Sequence, residues 1–135
     1  MKALSFKQFV DFVETSTVNL QNLVKTSMAN SGEFSYKDDN TRVTDLDLEI
    51  EKRIRGLIKG KFENHSISGE EYGEEYGSID YNWTIDPIDG TFSYTNYVPL
   101  FGTLIGLEYK KKPLYGALRL PFPTNQLLVG DGKSA

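Results

Sequence analysis

The sequence contains no cysteine and only one histidine among its 135 residues. Disulfides, thiolate zinc sites and cysteine nucleophiles are therefore excluded, and so is a metal site built from several histidines of this chain. Any catalysis must come from carboxylates, hydroxyls, lysine, backbone groups or a hard metal ion.

Long apolar runs and an excess of basic residues are also missing. No segment approaches the roughly 20 apolar residues of a transmembrane helix, and the first ten residues lack the apolar centre of a signal peptide. Against 19 acidic residues there are 15 lysines and arginines, so the net charge is −4. Nucleic-acid binding usually requires a basic surface. These absences predict a soluble, cytoplasmic protein without a membrane or nucleic-acid partner.

The composition is otherwise that of a globular domain, with 39% hydrophobic and 13% aromatic residues. Apolar residues at helical spacing predict a first helix over residues 6–28, with Ser5 and Gln8 placed as a capping box. A second amphipathic stripe predicts a helix that begins after Thr44 and ends near Gly60. The charged residues of this second helix, Glu51 and Arg55 among them, are predicted to face solvent.

Short segments rich in strand-forming residues lie between and after the two helices. They predict strands at residues 34–37, 66–68, 81–85, 102–109, 114–120 and 126–129. Helices followed by a run of strands indicate an α+β fold, because parallel α/β folds alternate the two. We therefore predict two helices packed on an antiparallel sheet.

Residues 86–91, which read Asp-Pro-Ile-Asp-Gly-Thr, form the strongest local motif. Asp86 and Asp89 lie three positions apart in a segment that Pro87 and Gly90 are expected to bend, so their carboxylates can converge on a hard cation such as Mg²⁺. Gly90 would let backbone N–H groups approach an anion closely. Taken alone, the motif is more often an Asp-Pro turn with solvated acids.

Two further segments offer groups of the same kind. Gly69-Glu70-Glu71 follows a predicted strand and supplies two carboxylates. Residues 37–47 supply Lys37, the Thr44 hydroxyl and Asp47 at the start of a helix. Each segment alone is more commonly surface charge or a helix cap.

Together, in this order and spacing, the three segments resemble the inositol monophosphatase family of magnesium-dependent, lithium-sensitive phosphatases. The string at residues 83–91, Trp-Thr-Ile-Asp-Pro-Ile-Asp-Gly-Thr, is the most specific part, and the resemblance covers nearly the whole chain. Ser93 and residues 99–107 resemble the histidinol-phosphate phosphatase branch. Asp-x-Asp-Gly-Thr phosphatases of the haloacid dehalogenase type fit poorly, because Asp86 and Asp89 are one residue too far apart.

The resemblance implies a fold and a domain organisation. Residues 1–135 would form the N-terminal metal- and phosphate-binding domain of the layered α/β/α/β/α sugar-phosphatase fold. Family members carry a second half with a further metal-binding aspartate in a Trp-Asp pair, and Trp83 is the only tryptophan here. The chain is therefore expected to be a truncated product, a fragment or a half that needs a partner.

The resemblance also implies roles for individual residues. The ligands of two or three Mg²⁺ ions would be Glu70, Asp86, the Ile88 carbonyl and Asp89. The groups that assist catalysis would be Asp47, Thr91 and Glu70, the first two by orienting a metal-bound water. The groups around the phosphate would be Gly90, Thr91 and Lys37.

The function implied is hydrolysis of a small phosphate monoester, of the histidinol phosphate or inositol phosphate type, by a metal-activated water. No covalent enzyme intermediate is required, and a homodimer is expected from the family. The alternative is a catalytically weak fragment that binds metal or phosphate, or that needs a partner half.

The remaining polar and aromatic residues are interpreted as structural. His65 has no obvious catalytic partner, and Trp83 alternates with Ile85, which predicts packing in the sheet. Glu74 and Glu75 are interpreted as solvated loop charges. Arg119 receives no role from the sequence.

Overall fold

The computed structural model describes residues 3–30, 35–36, 42–43, 45–90, 93 and 101–133. The helices in this part of the chain are α1 (Phe6–Thr17), α2 (Leu20–Asn30) and α3 (Asp45–Lys61). A small two-stranded sheet consists of β1 (Ser35–Tyr36) and β2 (Arg42–Val43). The large sheet contains β3 (Ser66–Gly69), β4 (Gly73–Glu75), β5 (Tyr81–Asp89), β6 (Gly102–Tyr109), β7 (Lys112–Leu120) and β8 (Gln126–Gly130).

The first helical segment begins as predicted but is divided in two. The capping box is confirmed, since the Gln8 N–H donates to Ser5 Oγ at 3.1 Å and the Ser5 N–H donates to Gln8 Oε1 at 2.8 Å. The single helix over residues 6–28 is wrong, because α1 ends at Thr17 and α2 starts at Leu20. Residues 15–18, Thr-Ser-Thr-Val, are weak helix formers, and the three hydroxyls donate to carbonyls of the preceding turn, which favours an interruption.

The large sheet has the strand order β4-β3-β5-β6-β7-β8. The α+β class is confirmed, but the sheet is mixed and not antiparallel throughout. The β3 and β5 strands pair in parallel, and every other pair of neighbouring strands in this sheet is antiparallel. The cause is the β3–β4 hairpin. Because β4 folds back along the outer side of β3, the chain enters β5 in the direction that β3 had.

The core lies between the helices and the large sheet, and Trp83 is at its centre. This side chain is fully buried, and its ring lies 5.1–5.8 Å from the rings of Phe9, Phe12 and Phe62. The Trp83 Nε1–H donates to His65 Nδ1 at 2.9 Å, and burial lowers the pKa of His65. The structural interpretation of Trp83 and His65 is therefore confirmed.

The second predicted helix corresponds to α3, although Thr44, its expected cap, lies outside the described residues. The predicted strands correspond closely to β3 and to β5 through β8, and β5 continues four residues beyond its predicted end. Among the described helices, none is long and apolar enough to cross a membrane.

Candidate active site

The parallel pairing of β3 and β5 brings two predicted metal ligands together. Gly69 is the register partner of Ile85, so Glu70 and Asp86 are the next residues on adjacent strands that run in the same direction. The Glu70 N–H donates to the Ile85 carbonyl at 3.0 Å, which holds the Glu70 backbone against β5. Side chains that follow parallel strands emerge at the same edge of the sheet, and this edge is the candidate site.

The motif at residues 86–89 forms the bulged end of β5. A bend was expected at Pro87, but β5 continues past that residue. Asp86 pairs with Leu104 and Asp89 with Gly102, so one extra residue is accommodated on β5. The buried Thr103 hydroxyl donates to the Pro87 carbonyl at 2.8 Å, inside the bulge. A bulge re-aims the side chains around it, and this one sets the directions of Asp86 and Asp89.

Gly90 ends the strand in a conformation that suits glycine. Its φ is +91°, in the left-handed region that residues with a Cβ avoid. The chain therefore turns at Gly90, immediately after the last predicted carboxylate ligand. Thr91 and Lys37, the other residues expected around the phosphate, lie outside the described residues.

Asp47 reaches the same region from a different element. It lies in the first turn of α3, where a carboxylate is favoured by the helix dipole, and its side chain is fully buried. Its charge contributes to the electrostatics of Asp86, so α3 delivers Asp47 to the edge where β3 and β5 end.

The other carboxylates at this edge act on the carboxyl group of Asp86. The pKa of Asp86 is raised to about 6, first by burial and then, in decreasing order, by the charges of Asp89, Glu70, Asp47 and Glu71. Five carboxylates from three different segments therefore share one electrostatic environment. Such an excess of negative charge is relieved by protons or by a cation.

The donor set suits a hard divalent cation, because carboxylate and carbonyl oxygens are the ligands that Mg²⁺ prefers. The electrostatic coupling acts over longer distances than coordination does. In the part of the chain that is described, no three acidic or histidine side chains are gathered as a metal-binding group. The residues present fit Mg²⁺ in charge and in donor chemistry, because they offer carboxylate and carbonyl oxygens.

Sequence reasoning missed two charged residues beside the site, and their predicted exposure is wrong. Glu51 is fully buried and Arg55 is 7% exposed. Glu51 Oε1 accepts the Glu71 N–H, and Glu51 Oε2 accepts the Tyr72 N–H, both at 2.8 Å. Arg55 Nε donates to Glu51 Oε2 at 3.0 Å. The available signal was helical spacing, since Asp47, Glu51 and Arg55 recur every four positions beside an apolar stripe.

Two other polar residues also have partners that the sequence did not indicate. Glu75, interpreted as a solvated loop charge, lies in β4 and forms an ion pair with Lys59 Nζ at 2.6 Å. Arg119 is buried and ties α1 to β7, because its guanidinium donates to Glu14 Oε2 at 2.7 Å and to Thr17 Oγ1 at 3.0 Å.

Comparison with known proteins finds phosphatases among the relatives of this chain. The chain is 37% identical over 102 residues to the fructose-1,6-bisphosphatase/inositol-1-monophosphatase of Aquifex aeolicus, covering 76% of this chain and 38% of that protein. It is 41% identical over 88 residues to the histidinol-phosphatase of Chlorobaculum parvum, covering 65% of this chain and 34% of that protein. Residues 7–133 match the model of the inositol monophosphatase family, and the chain belongs to that family.

A solved structure shows the same fold. An IMPase/NADP phosphatase complexed with Mg²⁺ and phosphate superimposes with a TM-score of 0.78 at 18% sequence identity, covering 94% of this chain and 49% of that chain. The described sheet and helices thus correspond to about half of a solved phosphatase. The chain spans about a third of the length of the two curated relatives.

Proposed function

We propose that this chain supplies the metal- and phosphate-binding half of a phosphatase that hydrolyses a small phosphate monoester with Mg²⁺. The observation that carries the proposal is the environment of Asp86, whose pKa is raised by burial and by four other carboxylates. A family member complexed with Mg²⁺ and phosphate supports the same assignment.

The metal ligands in this proposal come from the end of β3 and the bulged end of β5. They are the carboxylates of Glu70, Asp86 and Asp89 and the carbonyl of Ile88, for two or three Mg²⁺ ions. When bound, the ions would lower the pKa of water and offset charge on the phosphoryl oxygens. The bulge and the β3–β5 pairing supply the orientation of the ligands.

The remaining groups act on the water and the phosphate. Asp47, buried at the start of α3, would accept a hydrogen bond from the attacking water and orient it, together with Thr91. The backbone N–H groups at Gly90 and Thr91 would donate hydrogen bonds to phosphate oxygens, with Lys37 adding positive charge. In-line attack of this water on the phosphorus atom would then displace the alcohol, without a covalent intermediate on the protein.

The substrates best supported are small phosphate monoesters of the histidinol phosphate or inositol phosphate type. The support is the names of the relatives, one a histidinol-phosphatase and one an inositol-1-monophosphatase. The second candidate function is binding of metal and phosphate without turnover. It is kept because the chain spans only about a third of those relatives, so binding and turnover need separate measurements.

The test measures binding of Mg²⁺ and of inorganic phosphate by calorimetry, and phosphate release from histidinol phosphate and inositol monophosphate with and without lithium. Asp86→Asn is the test variant, and Asp80→Asn, an exposed aspartate just before the opposite end of β5, is the matched control. Wild type and the control are expected to bind Mg²⁺ and to release phosphate in a lithium-sensitive reaction, while Asp86→Asn does neither. Binding without phosphate release would support the second candidate. A wild type that binds neither Mg²⁺ nor phosphate would refute both.

A further inference from the structure

The buried carboxylate of Glu51 organises the turn that carries Glu70 and Glu71. Glu51 lies in the middle of α3, and its two oxygens accept the N–H groups of Glu71 and Tyr72. These are consecutive backbone donors in the turn between β3 and β4. A fully buried carboxylate that accepts such hydrogen bonds fixes the backbone that it contacts.

Arg55 completes a clamp from the next turn of the same helix. Its Nε donates to Glu51 Oε2, and its terminal nitrogens donate to the Gly73 carbonyl and to Glu75 Oε1 at 3.4 Å. The guanidinium also lies 6.0 Å from the centre of the Tyr72 ring. The pair therefore holds N–H groups at one end of the turn and a carbonyl at the other.

The close approach of Glu51 depends on a glycine. A Cβ at Gly69 would lie 2.3 Å from Glu51 Oε2, so the carboxylate occupies space that any larger residue would fill. Gly69 directly precedes Glu70. The helix side chain thus contacts the hairpin on both sides of Glu70, at Gly69 and at the Glu71 amide.

We propose that Glu51, held by Arg55, is a positioning residue that sets the place of Glu70 and Glu71 and thereby the Mg²⁺ affinity of the site. The inference rests on the proposed function, because that function assigns Glu70, one of the two turn carboxylates, to the metal site. Glu51 does not touch the metal in this proposal. It acts through backbone N–H groups, and the same helix holds Asp47 one turn earlier, so α3 aligns both sets of carboxylates.

The role requires a carboxylate and not only a polar side chain of this size. Three donors converge on the two oxygens, namely two backbone N–H groups and Arg55 Nε. A glutamine has one acceptor oxygen, and its NH₂ group would face at least one of these donors. Glu51→Gln is therefore expected to release part of the turn while the volume of the side chain is unchanged.

The test compares Glu51→Gln with Glu49→Gln in the full chain. Glu49 provides a matched control, because it makes the same i,i+4 pair with Arg53 at 2.9 Å on the exposed side of α3. Calorimetry with Mg²⁺ alone is expected to give a dissociation constant about 10-fold higher for Glu51→Gln, as is typical when an outer partner of a metal site is lost. Glu49→Gln is expected to bind like wild type.

Amide hydrogen exchange of the metal-free proteins provides a readout that general destabilisation would not reproduce. In Glu51→Gln, protection of the Glu71 and Tyr72 amides should fall about 10-fold, more than protection of the Trp83 amide in the centre of the sheet. If Glu51→Gln does not fold, Arg55→Lys replaces it, since it retains a positive charge but not the fork that joins Glu51 to Gly73. The same direction of change in Mg²⁺ affinity and local exchange is expected.

The inference would be overturned if Glu51→Gln, or Arg55→Lys used in its place, bound Mg²⁺ with unchanged affinity. This outcome would count against it whether or not the turn amides lose protection. A loss of affinity with equal loss of protection at Trp83 would also overturn it, since the effect would then be global. If wild type itself takes up no Mg²⁺, the proposed function fails as well, and the two failures are distinguishable.

Discussion

Asp86→Asn is expected to stabilise the metal-free protein at neutral pH, although the same change should abolish metal binding. The ionised Asp86 carboxylate is partly buried and lies among four other carboxylates that repel it. Asparagine keeps the shape of the side chain and removes the charge. A residue proposed as a metal ligand is thus expected to cost stability when the cation is absent.

The magnitude follows from the raised pKa. A pKa of about 6 in the folded state, against an ordinary value of 3.8, corresponds to a penalty of about 3 kcal/mol if the group were fully shielded. Asp86 is only partly buried, and solvent screening reduces this penalty to about 1–2 kcal/mol. Because the folded-state pKa is above the unfolded one, the penalty is absent below about pH 4, grows as the pH rises, and is complete above about pH 6.

Urea unfolding in the presence of a chelator, at about pH 4 and about pH 7.5, measures the effect. The free energy of unfolding of Asp86→Asn should exceed that of wild type by about 1–2 kcal/mol at the higher pH and match it at the lower. Asp80→Asn, the exposed control, should follow wild type at both. If Asp86→Asn were less stable than wild type at the higher pH, or differed equally at both pH values, the electrostatic reasoning would be wrong.

Two further substitutions test the contacts that shape the site and its support. Thr103→Val removes the hydroxyl that donates to the Pro87 carbonyl at 2.8 Å, and it should lower the free energy of unfolding by about 1–2 kcal/mol and weaken Mg²⁺ binding. Urea unfolding and calorimetry measure both effects, and an unchanged value of each would show that the bulge does not depend on this bond. Arg119→Met removes the buried guanidinium that joins α1 to β7, and chemical denaturation should show a loss of about 2 kcal/mol. A neutral effect would mean that the new apolar contacts compensate for the lost ion pair.

The elements of the fold were largely predictable, because the patterns that specify them are local. The capping box at Ser5 and Gln8 and the alternation in β6 depend only on residues a few positions apart. The interruption after Thr17 was not predicted, since the apolar spacing continues through it while the hydroxyls bond to the preceding turn. The parallel orientation of β3 and β5 was also missed, because it depends on which side of β3 the next strand occupies.

The candidate site divides in the same way between sequence and structure. The motif residues Asp86 and Asp89 and the segment with Glu70 are recognisable from the sequence through their resemblance to the family, because each segment alone is more often a turn or surface charge. Only the tertiary structure decided that Glu51 and Arg55 are buried under the hairpin and that Thr103 bonds inside the bulge. These contacts join residues far apart in the chain or depend on which face of α3 meets the sheet. A charged side chain looks the same in the sequence whether it faces solvent or backbone donors, and folding alone distinguishes the two.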